Sequence, residues 1–248
     1  AGNLMVSGPD RVVSDGTCGQ LQLYKVAADG TYTPLVDYNS ANYWCTEMGN
    51  FRVKGDVNGD ALIMAYICVG TGHYAAWEVK GGVVADPVYG DLHDGSWDAS
   101  TGVVAPAGAT LADGFFSITY GSTYNLNYYD GTSWTETYVT GSSWMENYNC
   151  IATAEWNGNK YAAIVAGCHF NYDAADVILL NVNNPAAAEY VYTHHGDGDV
   201  AWDWAAGVNP SWTGAGTYSD ALLIPAGDTL LVLYVDSNYG ALACVAIN

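Results

Sequence analysis

The feature that most constrains this chain is an apolar–turn–apolar unit that recurs five times. The clearest copy, FRVKGDVNGDALIMAYICV, runs from Phe51 to Val69, and Asn58-Gly59, a strong hairpin signal, separates its two apolar stretches. Repeats spaced by about 45 to 69 residues are typical of propeller blades. The turn centres of the five units lie near Pro9, Gly59, Asp113, Gly158 and Gly227.

Each unit is followed by a second pair of strand-like stretches. The turns of these second pairs are Asp29-Gly30, Gly81-Gly82, Asp130-Gly131 and Asn183-Asn184-Pro185. We find no sustained helical periodicity, and the pattern predicts four-stranded antiparallel meanders. The sequence therefore predicts an all-β chain, a single domain over 1–248 that forms a five-bladed β-propeller. The Trp-rich insertion before the fifth unit, 201–219, leaves a six-bladed ring or a pair of β-sandwiches as alternatives.

Charge excludes one class of partner. The chain has a formal net charge of −20, with only 6 Lys and Arg against 26 Asp and Glu. Binding to a phosphate backbone requires basic side chains that displace condensed counterions, so nucleic acid is not a predicted partner. The sequence also has no 18-residue apolar stretch, and we predict no transmembrane segment.

No cofactor is predicted. The six cysteines lack metal-site spacing and are expected either as buried thiols or as disulfides, with Cys150 and Cys168 within bridging reach. Asp56-Val-Asn58-Gly-Asp60 resembles the start of a calcium loop, but Ala61 and Ile67 stand where Gly and Glu are needed. A turn explains it better, which leaves calcium as the weaker alternative. His194-His195-Gly-Asp197-Gly-Asp199 is interpreted in the same way, as a solvated loop rather than a metal site.

Two sets of connections repeat an aromatic residue beside a polar one. In a propeller both sets reach the same rim of the central channel, where ligands usually bind. The first set places a Trp before an acid, and its members are Trp97 with Asp98, Trp144 with Glu146, and Trp202 with Asp203; Glu47 follows Trp44 in the same way. The second set places a Tyr after a polar residue, and its members are Tyr74, Tyr124, Tyr172 and Tyr239. We predict that the three Trp–acid pairs and the four Tyr residues, ten residues in all, form the ligand-binding surface. Trp44 and Glu47 are not included.

Aromatic rings and carboxylates suit sugars, because C–H faces stack on rings and hydroxyls bond to carboxylates. The leading prediction is a non-catalytic binding module for a glycan or another polar ligand. One alternative is a glycoside hydrolase that uses a pair from Asp98, Glu146 and Asp203. A second alternative is an adhesion module whose Tyr-rich face binds a protein partner. Repeated Trp residues that only wedge neighbouring blades would explain the first set without any ligand.

The stretches NLMVSGPDRVVSDG, LQLYKV, FRVKGDVNGDALIMAY and AAWEVKGG resemble the propeller portion of surface lipoproteins of gut-dwelling Gram-negative bacteria. Such proteins carry a small immunoglobulin-like module ahead of the propeller and a lipidated cysteine, neither of which is visible in this sequence. The resemblance implies export, an extracellular or cell-surface location, and a role in adhesion or glycan handling. It supplies no catalytic residues.

Overall fold

The computed structural model of the protein describes residues 4–10, 20–39, 51–68, 72–93, 104–120, 124–140, 150–166, 174–196, 220–236 and 241–248. These residues form nineteen strands in five antiparallel sheets, with two short 3-10 turns. The all-β prediction is confirmed. Within these ranges, no helix is long and apolar enough to cross a membrane.

The chain divides into two compact units, Ala1–Phe115 and Phe116–Asn248. The assignment of 1–248 to a single domain stays a prediction.

The first sheet corrects the predicted turn near Pro9. Its strands, in the order β1-β2-β3, are β1 (Leu4–Asp10), β2 (Gln20–Val26) and β3 (Tyr32–Asn39). β1 runs straight through Pro9 and pairs with β2 from Leu4 opposite Val26 to Asp10 opposite Gln20. Because β1 is at the edge of the sheet, the missing N–H of a proline is tolerated there. The Asp29-Gly30 turn between β2 and β3 lies where it was predicted.

The second sheet contains the clearest repeat. Its strands are β4 (Arg52–Gly55), β5 (Ala61–Cys68), β6 (Gly72–Lys80), β7 (Val83–Val84) and β8 (Val88–Asp91), with β7 and β8 both paired to β6. Gly55 pairs with Ala61, so the connection is the loop 56–60 and the predicted two-residue Asn58-Gly59 turn is wrong. The φ of Gly55 is +103°, and a Cβ there would lie 2.4 Å from the carbonyl oxygen of Asp60. The longer loop therefore depends on this glycine.

The third sheet has the order β12-β11-β10-β9. Its strands are β9 (Val104–Pro106), β10 (Phe115–Tyr120), β11 (Tyr124–Tyr129) and β12 (Trp134–Thr140). A 3-10 turn, Leu111–Asp113, lies between β9 and β10 and occupies the position of the turn predicted near Asp113. The division between the two units falls within β10.

The fourth sheet is a complete four-stranded meander. Its strands are β13 (Cys150–Trp156), β14 (Asn159–Ala166), β15 (Ala174–Asn181) and β16 (Glu189–Gly196). The turn predicted near Gly158 is confirmed. Asn157 and Gly158 form it as a two-residue turn with φ values of +49° and +75°, as hairpin turns of type I′ require. The second 3-10 turn, Pro185–Ala187, joins β15 to β16. His194 and His195 lie in β16, which corrects their assignment to a loop.

The fifth sheet has three strands in the order β17-β18-β19. They are β17 (Asp220–Ala226), β18 (Thr229–Asp236) and β19 (Ala241–Ile247), and the turn predicted near Gly227 joins the first two. Cys244 of β19 is exposed and is a free thiol. Cys150 begins β13, but Cys168 lies outside the described residues, so bridging between them stays a prediction.

The core of the first unit lies between its sheets. Ala61, Leu62, Ile63, Met64 and Ala65 of β5 are completely buried, so both faces of the second sheet are covered at this strand. One face packs against the first sheet through a cluster that includes Leu23, Val36, Ile63 and Trp77. β5 also contacts β9. This continuous apolar run fits a strand that is buried on both sides.

The second unit repeats this arrangement between the fourth and fifth sheets. The shared cluster contains Ala163 and Leu179 of the fourth sheet, together with Ala221, Leu230 and Val232 of the fifth. The opposite face of the fifth sheet is apolar but exposed, and there Leu222 retains 58% of its accessible surface. The two faces of one sheet therefore contribute very differently to stability.

Two leucines of the fifth sheet test this difference. Leu230→Ala should lower the free energy of unfolding by about 2–5 kcal/mol, because Leu230 is completely buried in the shared cluster. The matched Leu222→Ala change should cost less than about 1 kcal/mol, because that side chain is largely exposed. Urea denaturation followed by tryptophan fluorescence measures both values. Equal losses would contradict the packing described for this sheet.

Candidate functional site

Most of the predicted ligand-binding surface lies outside the described residues. Its members there are Trp97, Asp98, Trp144, Glu146, Trp202, Asp203, Tyr172 and Tyr239, and Glu47 lies outside as well. Tyr124 is the first residue of β11, and its backbone pairs with Thr140 of β12. Tyr74 lies in β6. The convergence of the ten predicted residues therefore stays a prediction.

Tyr74 differs from its predicted position in an exposed connection. It is only 5% exposed, and its ring lies 4.7 Å from the ring of Phe115. The ring also packs over Gly90 of β8, where a Cβ would lie 2.6 Å from it. Tyr74 is thus a core residue of the first unit, and its neighbour His73 is the residue of this pair that reaches the surface.

In each sheet the pairing of residues distinguishes the strand ends beside the short turns from the strand ends on the opposite side. In the second sheet, Ala61 of β5 pairs with Val79 beside the short turns, whereas Cys68 pairs with Gly72 at the other end. The fourth sheet has the same polarity, with Trp156 opposite Asn159 at its short turn. We call the strand ends that carry the short described turns the turn end. The connections that hold the predicted ligand-binding residues join the opposite ends of the strands, apart from Tyr74 and Tyr124, which lie within strands.

The turn end of the first unit is built from side chains that bond to backbone. Asp56 Oδ1 accepts hydrogen bonds from the backbone N–H and from the side-chain amide of Asn58, at 2.9 and 3.1 Å. Asp60 Oδ1 accepts from the N–H of Gly81 at 3.1 Å, and Lys25 Nζ donates to Asn58 Oδ1. These contacts are those of a loop stabilised by its own Asp and Asn side chains, as the turn interpretation of this segment predicts.

Glu78 links two elements at the same end. Its carboxylate receives hydrogen bonds from Lys80 Nζ at 2.9 Å and from the N–H of Leu111, also at 2.9 Å, in the loop between β9 and β10. The bond from Lys80, followed by the bond from Leu111, holds the pKa of Glu78 below its ordinary value. The same pairing raises the pKa of Lys80. Glu78 thus acts as a charged anchor for the loop.

The turn end of the second unit is held by amides and an indole. Trp156 Nε1 donates to the carbonyl oxygen of Gly227 at 2.9 Å, which ties the turns of the fourth and fifth sheets together. Asn183 Oδ1 accepts from the N–H of Lys160 at 2.8 Å, and its Nδ2 donates to Asn159 at 2.7 Å. These groups satisfy one another, so this end is structural.

Asp130 organises the turn between β11 and β12. Its Oδ1 accepts from the N–H groups of Ser133 and Thr132, both at 2.8 Å, and these bonds lower the pKa of Asp130. The rings of Tyr129 and Trp134 pack 5.0 Å apart on the flanking strands. The carboxylate is therefore committed to the turn.

One polar pair lies at the opposite strand ends of the first unit. His73 Nδ1 of β6 is 2.7 Å from Asp91 Oδ1 of β8, which its backbone faces in the sheet. The His73 side chain is 26% exposed and that of Asp91 is 85% exposed. The sequence placed His73 beside Tyr74, but nothing in it identified Asp91 as the partner.

Metal ligation has no support in the described part of the chain, where no three His, Cys, Asp or Glu side chains are grouped closely enough to hold an ion. The His and Asp residues that could ligate one, from His194 to Asp199, are described only as far as Gly196.

The chain resembles solved structures of enzymes that act on sugars. The leech intramolecular trans-sialidase shares 12% identity with a TM-score of 0.54, over 93% of this chain and 36% of the enzyme. The intramolecular trans-sialidase from Ruminococcus gnavus shares 11% identity with a TM-score of 0.51, over 93% of this chain and 50% of the enzyme. An exo-β-1,3-galactanase from Phanerochaete chrysosporium shares 10% identity with a TM-score of 0.49, over 99% of this chain and 59% of the enzyme. The chain thus spans about a third to three fifths of the length of these proteins.

The likeness to the two trans-sialidases is one of fold, and it supports an all-β propeller-type fold for this chain. They also overturn the leading functional prediction. A non-catalytic binding module was expected, but the fold neighbours are glycan-processing enzymes, which favours the glycoside hydrolase alternative. Sequence reasoning ranked the alternatives wrongly because the loops carry no recognised hydrolase motif.

Sequence comparisons add one match. The profile of a family described as a domain of unknown function, DUF8500, matches residues 2–248. No curated protein matches the chain in sequence.

Acid should weaken the anchor at Glu78. Because its pKa is lower in the folded state, Glu78 stabilises the fold above the ordinary pKa of a glutamate, about 4.3, and this contribution disappears as the pH falls through the folded value. Glu78→Gln should therefore be less stable than the native protein at pH 7, and the difference should shrink as the pH falls below the ordinary pKa of a glutamate. Urea denaturation at a series of pH values measures this. A difference that does not change with pH would show that the Glu78 charge is unimportant.

Tyr74 should behave as a core residue. Tyr74→Ala should lower the free energy of unfolding by on the order of 3 kcal/mol, because it leaves a cavity beside Phe115. Tyr32→Ala is the matched control in the same unit. Tyr32 is 72% exposed, so its loss should cost about 1 kcal/mol or less. A Tyr74 variant of native stability that fails only in ligand binding would restore the original surface prediction.

Proposed function

The chain belongs to the DUF8500 family, and we propose that it is a glycan-cleaving enzyme, a glycoside hydrolase with a β-propeller fold. The observation that carries the proposal is the likeness of 93% of the chain to two trans-sialidases with TM-scores above 0.5. Fold alone does not determine activity, so the chemistry must come from side chains at one site.

The proposed architecture is a propeller of five blades, one blade for each of the five antiparallel sheets. The third and fourth sheets have four strands each, as a propeller blade usually does. Blades of this type expose their connections at the two ends of the channel, and ligands bind at one of them. The turn end is occupied by mutually bonded side chains, which supports the opposite strand ends as the site.

The proposed catalytic groups are two carboxylates from Asp98, Glu146 and Asp203. One protonates the glycosidic oxygen as the C–O bond breaks, and the other either activates a water molecule or attacks the anomeric carbon. Carboxyl groups about 5–5.5 Å apart retain the anomeric configuration, and those about 6.5–9.5 Å apart invert it. Trp97, Trp144 and Trp202, which precede these acids by one or two residues, would supply rings on which a sugar stacks.

The hydrogen-bonded pair of His73 and Asp91 supports the same location. It lies at the strand ends from which the connection carrying Trp97 and Asp98 departs, since Asp91 ends β8 and Trp97 follows six residues later. The pair would supply an imidazole and a carboxylate beside the proposed site. Export to a bacterial cell surface remains a separate prediction.

Hydrolysis of a polysaccharide panel tests the proposal. The native chain should release reducing sugars from at least one glycan, and Asp98→Asn, Glu146→Gln or Asp203→Asn should lower kcat by at least about 100-fold for two of the three variants. Asp228→Asn, an exposed acid in the turn between β17 and β18, is the control and should leave kcat unchanged. Proton NMR of the first product anomer reports retention or inversion. Failure to cleave any glycan in the panel would contradict the proposal.

A further inference from the structure

We propose that the outer edge of β19, the side that faces away from β18, binds an extended peptide segment of a partner protein that carries Lys or Arg. The bound segment forms a fourth strand of the fifth sheet. Binding at this edge does not require the proposed glycan cleavage. Three features of the described residues indicate it: the strand order of the fifth sheet, the composition of β19, and the charge of the second unit.

The fifth sheet has one strand fewer than the fourth sheet, against which it packs. The fourth sheet has the order β13-β14-β15-β16, whereas the fifth ends at β19, which in the described part of the chain pairs with β18 alone. β17 contacts β13, so the first strands of the two sheets lie together. Tyr192 of β16 is half-buried against the shared cluster, as are Val245 and Ile247 of β19. A strand added beside β19 would therefore cover the margin of this cluster.

The register of the fifth sheet shows which backbone groups of β19 face outward. Gly227-Asp228 is a two-residue turn, so Ala226 and Thr229 form a hydrogen-bonded pair, and such pairs alternate along an antiparallel sheet. The register continues across β18 to β19 without a bulge. This alternation leaves one set of backbone N–H and C=O groups at the outer edge, those of Leu242, Cys244 and Ala246. An extended peptide binds to such a row of groups by adding a strand.

β19 also lacks the features that keep edge strands from pairing. Proline, charged residues and very short strands protect the exposed edges of natural sheets. Among the described edge strands, β1, β3, β9 and β17 each contain a proline. β4, β8, β12, β13 and β16 each contain a charged residue, and β7 has only two residues. β19, with the sequence ALACVAI, has neither a proline nor a charge, so its edge is open to another strand.

The charge of the second unit selects the kind of strand. Residues 116–248 contain thirteen Asp and Glu, and Lys160 is their only Lys or Arg. A second copy of this chain would bring two equally acidic units together at β19, which like-charge repulsion opposes. A peptide that carries Lys or Arg is attracted instead. The exposed Asp228 precedes Thr229, whose hydroxyl lies 2.9 Å from the side chain of Asn248, just after β19.

Three labelled peptides test this edge by fluorescence anisotropy. The first is a short peptide of alternating Val and Thr with Lys at both ends. The second has Glu in place of Lys, and the third is the Lys peptide with its backbone nitrogens methylated. The Lys peptide should bind at least about tenfold tighter than either of the others near 0.01 M salt, where the Debye length is about 30 Å. The Glu peptide is repelled by the acidic unit, and the methylated peptide cannot donate backbone hydrogen bonds.

Cys244→Pro and Cys244→Ala are the matched protein variants. Proline removes an outward N–H and keeps the bonds to β18, a substitution that edge strands tolerate. Cys244→Pro should weaken binding of the Lys peptide at least about tenfold, and Cys244→Ala should leave it unchanged. Circular dichroism shows whether both variants keep the native strand content. If Cys244→Pro does not fold, the methylated peptide tests the same hydrogen bonds on the native chain.

Hydrogen exchange separates the partner peptide from other occupants of the edge. The amides of Leu242, Cys244 and Ala246 should exchange rapidly in the free protein and become protected when the Lys peptide binds. Protection in the free monomer would show that another part of this chain occupies the edge. Protection that accompanies dimerisation in analytical ultracentrifugation would assign the edge to a second copy. Either result overturns the peptide site, as does a Lys peptide that does not bind or that binds no better than its methylated form.

Discussion

The structure depends on strands that are apolar on both faces. β5 in the first unit is completely buried from Ala61 to Ala65, and β14 in the second unit is buried from Tyr161 to Ile164. Such a strand cannot belong to a sheet with one face in water, because exposing either face would lose about 25 cal/mol for each Å² of apolar surface. Within each unit, sheets must therefore stack face to face. The stacking of successive meanders is the arrangement that a propeller extends around a channel.

Turn chemistry makes the two ends of the strands different. At the turn end, Asp, Asn and Glu side chains bond to nearby backbone groups, and single contacts such as that of Trp156 with Gly227 join neighbouring sheets. These groups are already hydrogen-bonded within the protein, so they are less available to bind a ligand. A rigid end of this kind leaves the opposite connections free to vary in sequence, which is where binding and catalytic residues usually lie.

The described lysine contacts belong to the scaffold. Few cations are present, and those with described contacts serve the loops at the turn end. The trans-sialidases share the fold with this chain at 11–12% identity, a level at which side chains at the site are expected to differ.

The sequence by itself determined the strand content and most turns, because these depend on neighbouring residues. Asn157-Gly158 and Asp130-Gly131 have the local chemistry of a turn wherever the sheets pack, and alternating or continuous apolar runs identify strands. Only the tertiary structure decided that Pro9 lies within an edge strand, that Tyr74 is buried against Phe115, and that His73 faces Asp91. Those outcomes depend on which strands pair and which faces pack. The residues in contact are far apart in the sequence or are brought together by strand register. Local propensity contains no information about such partners.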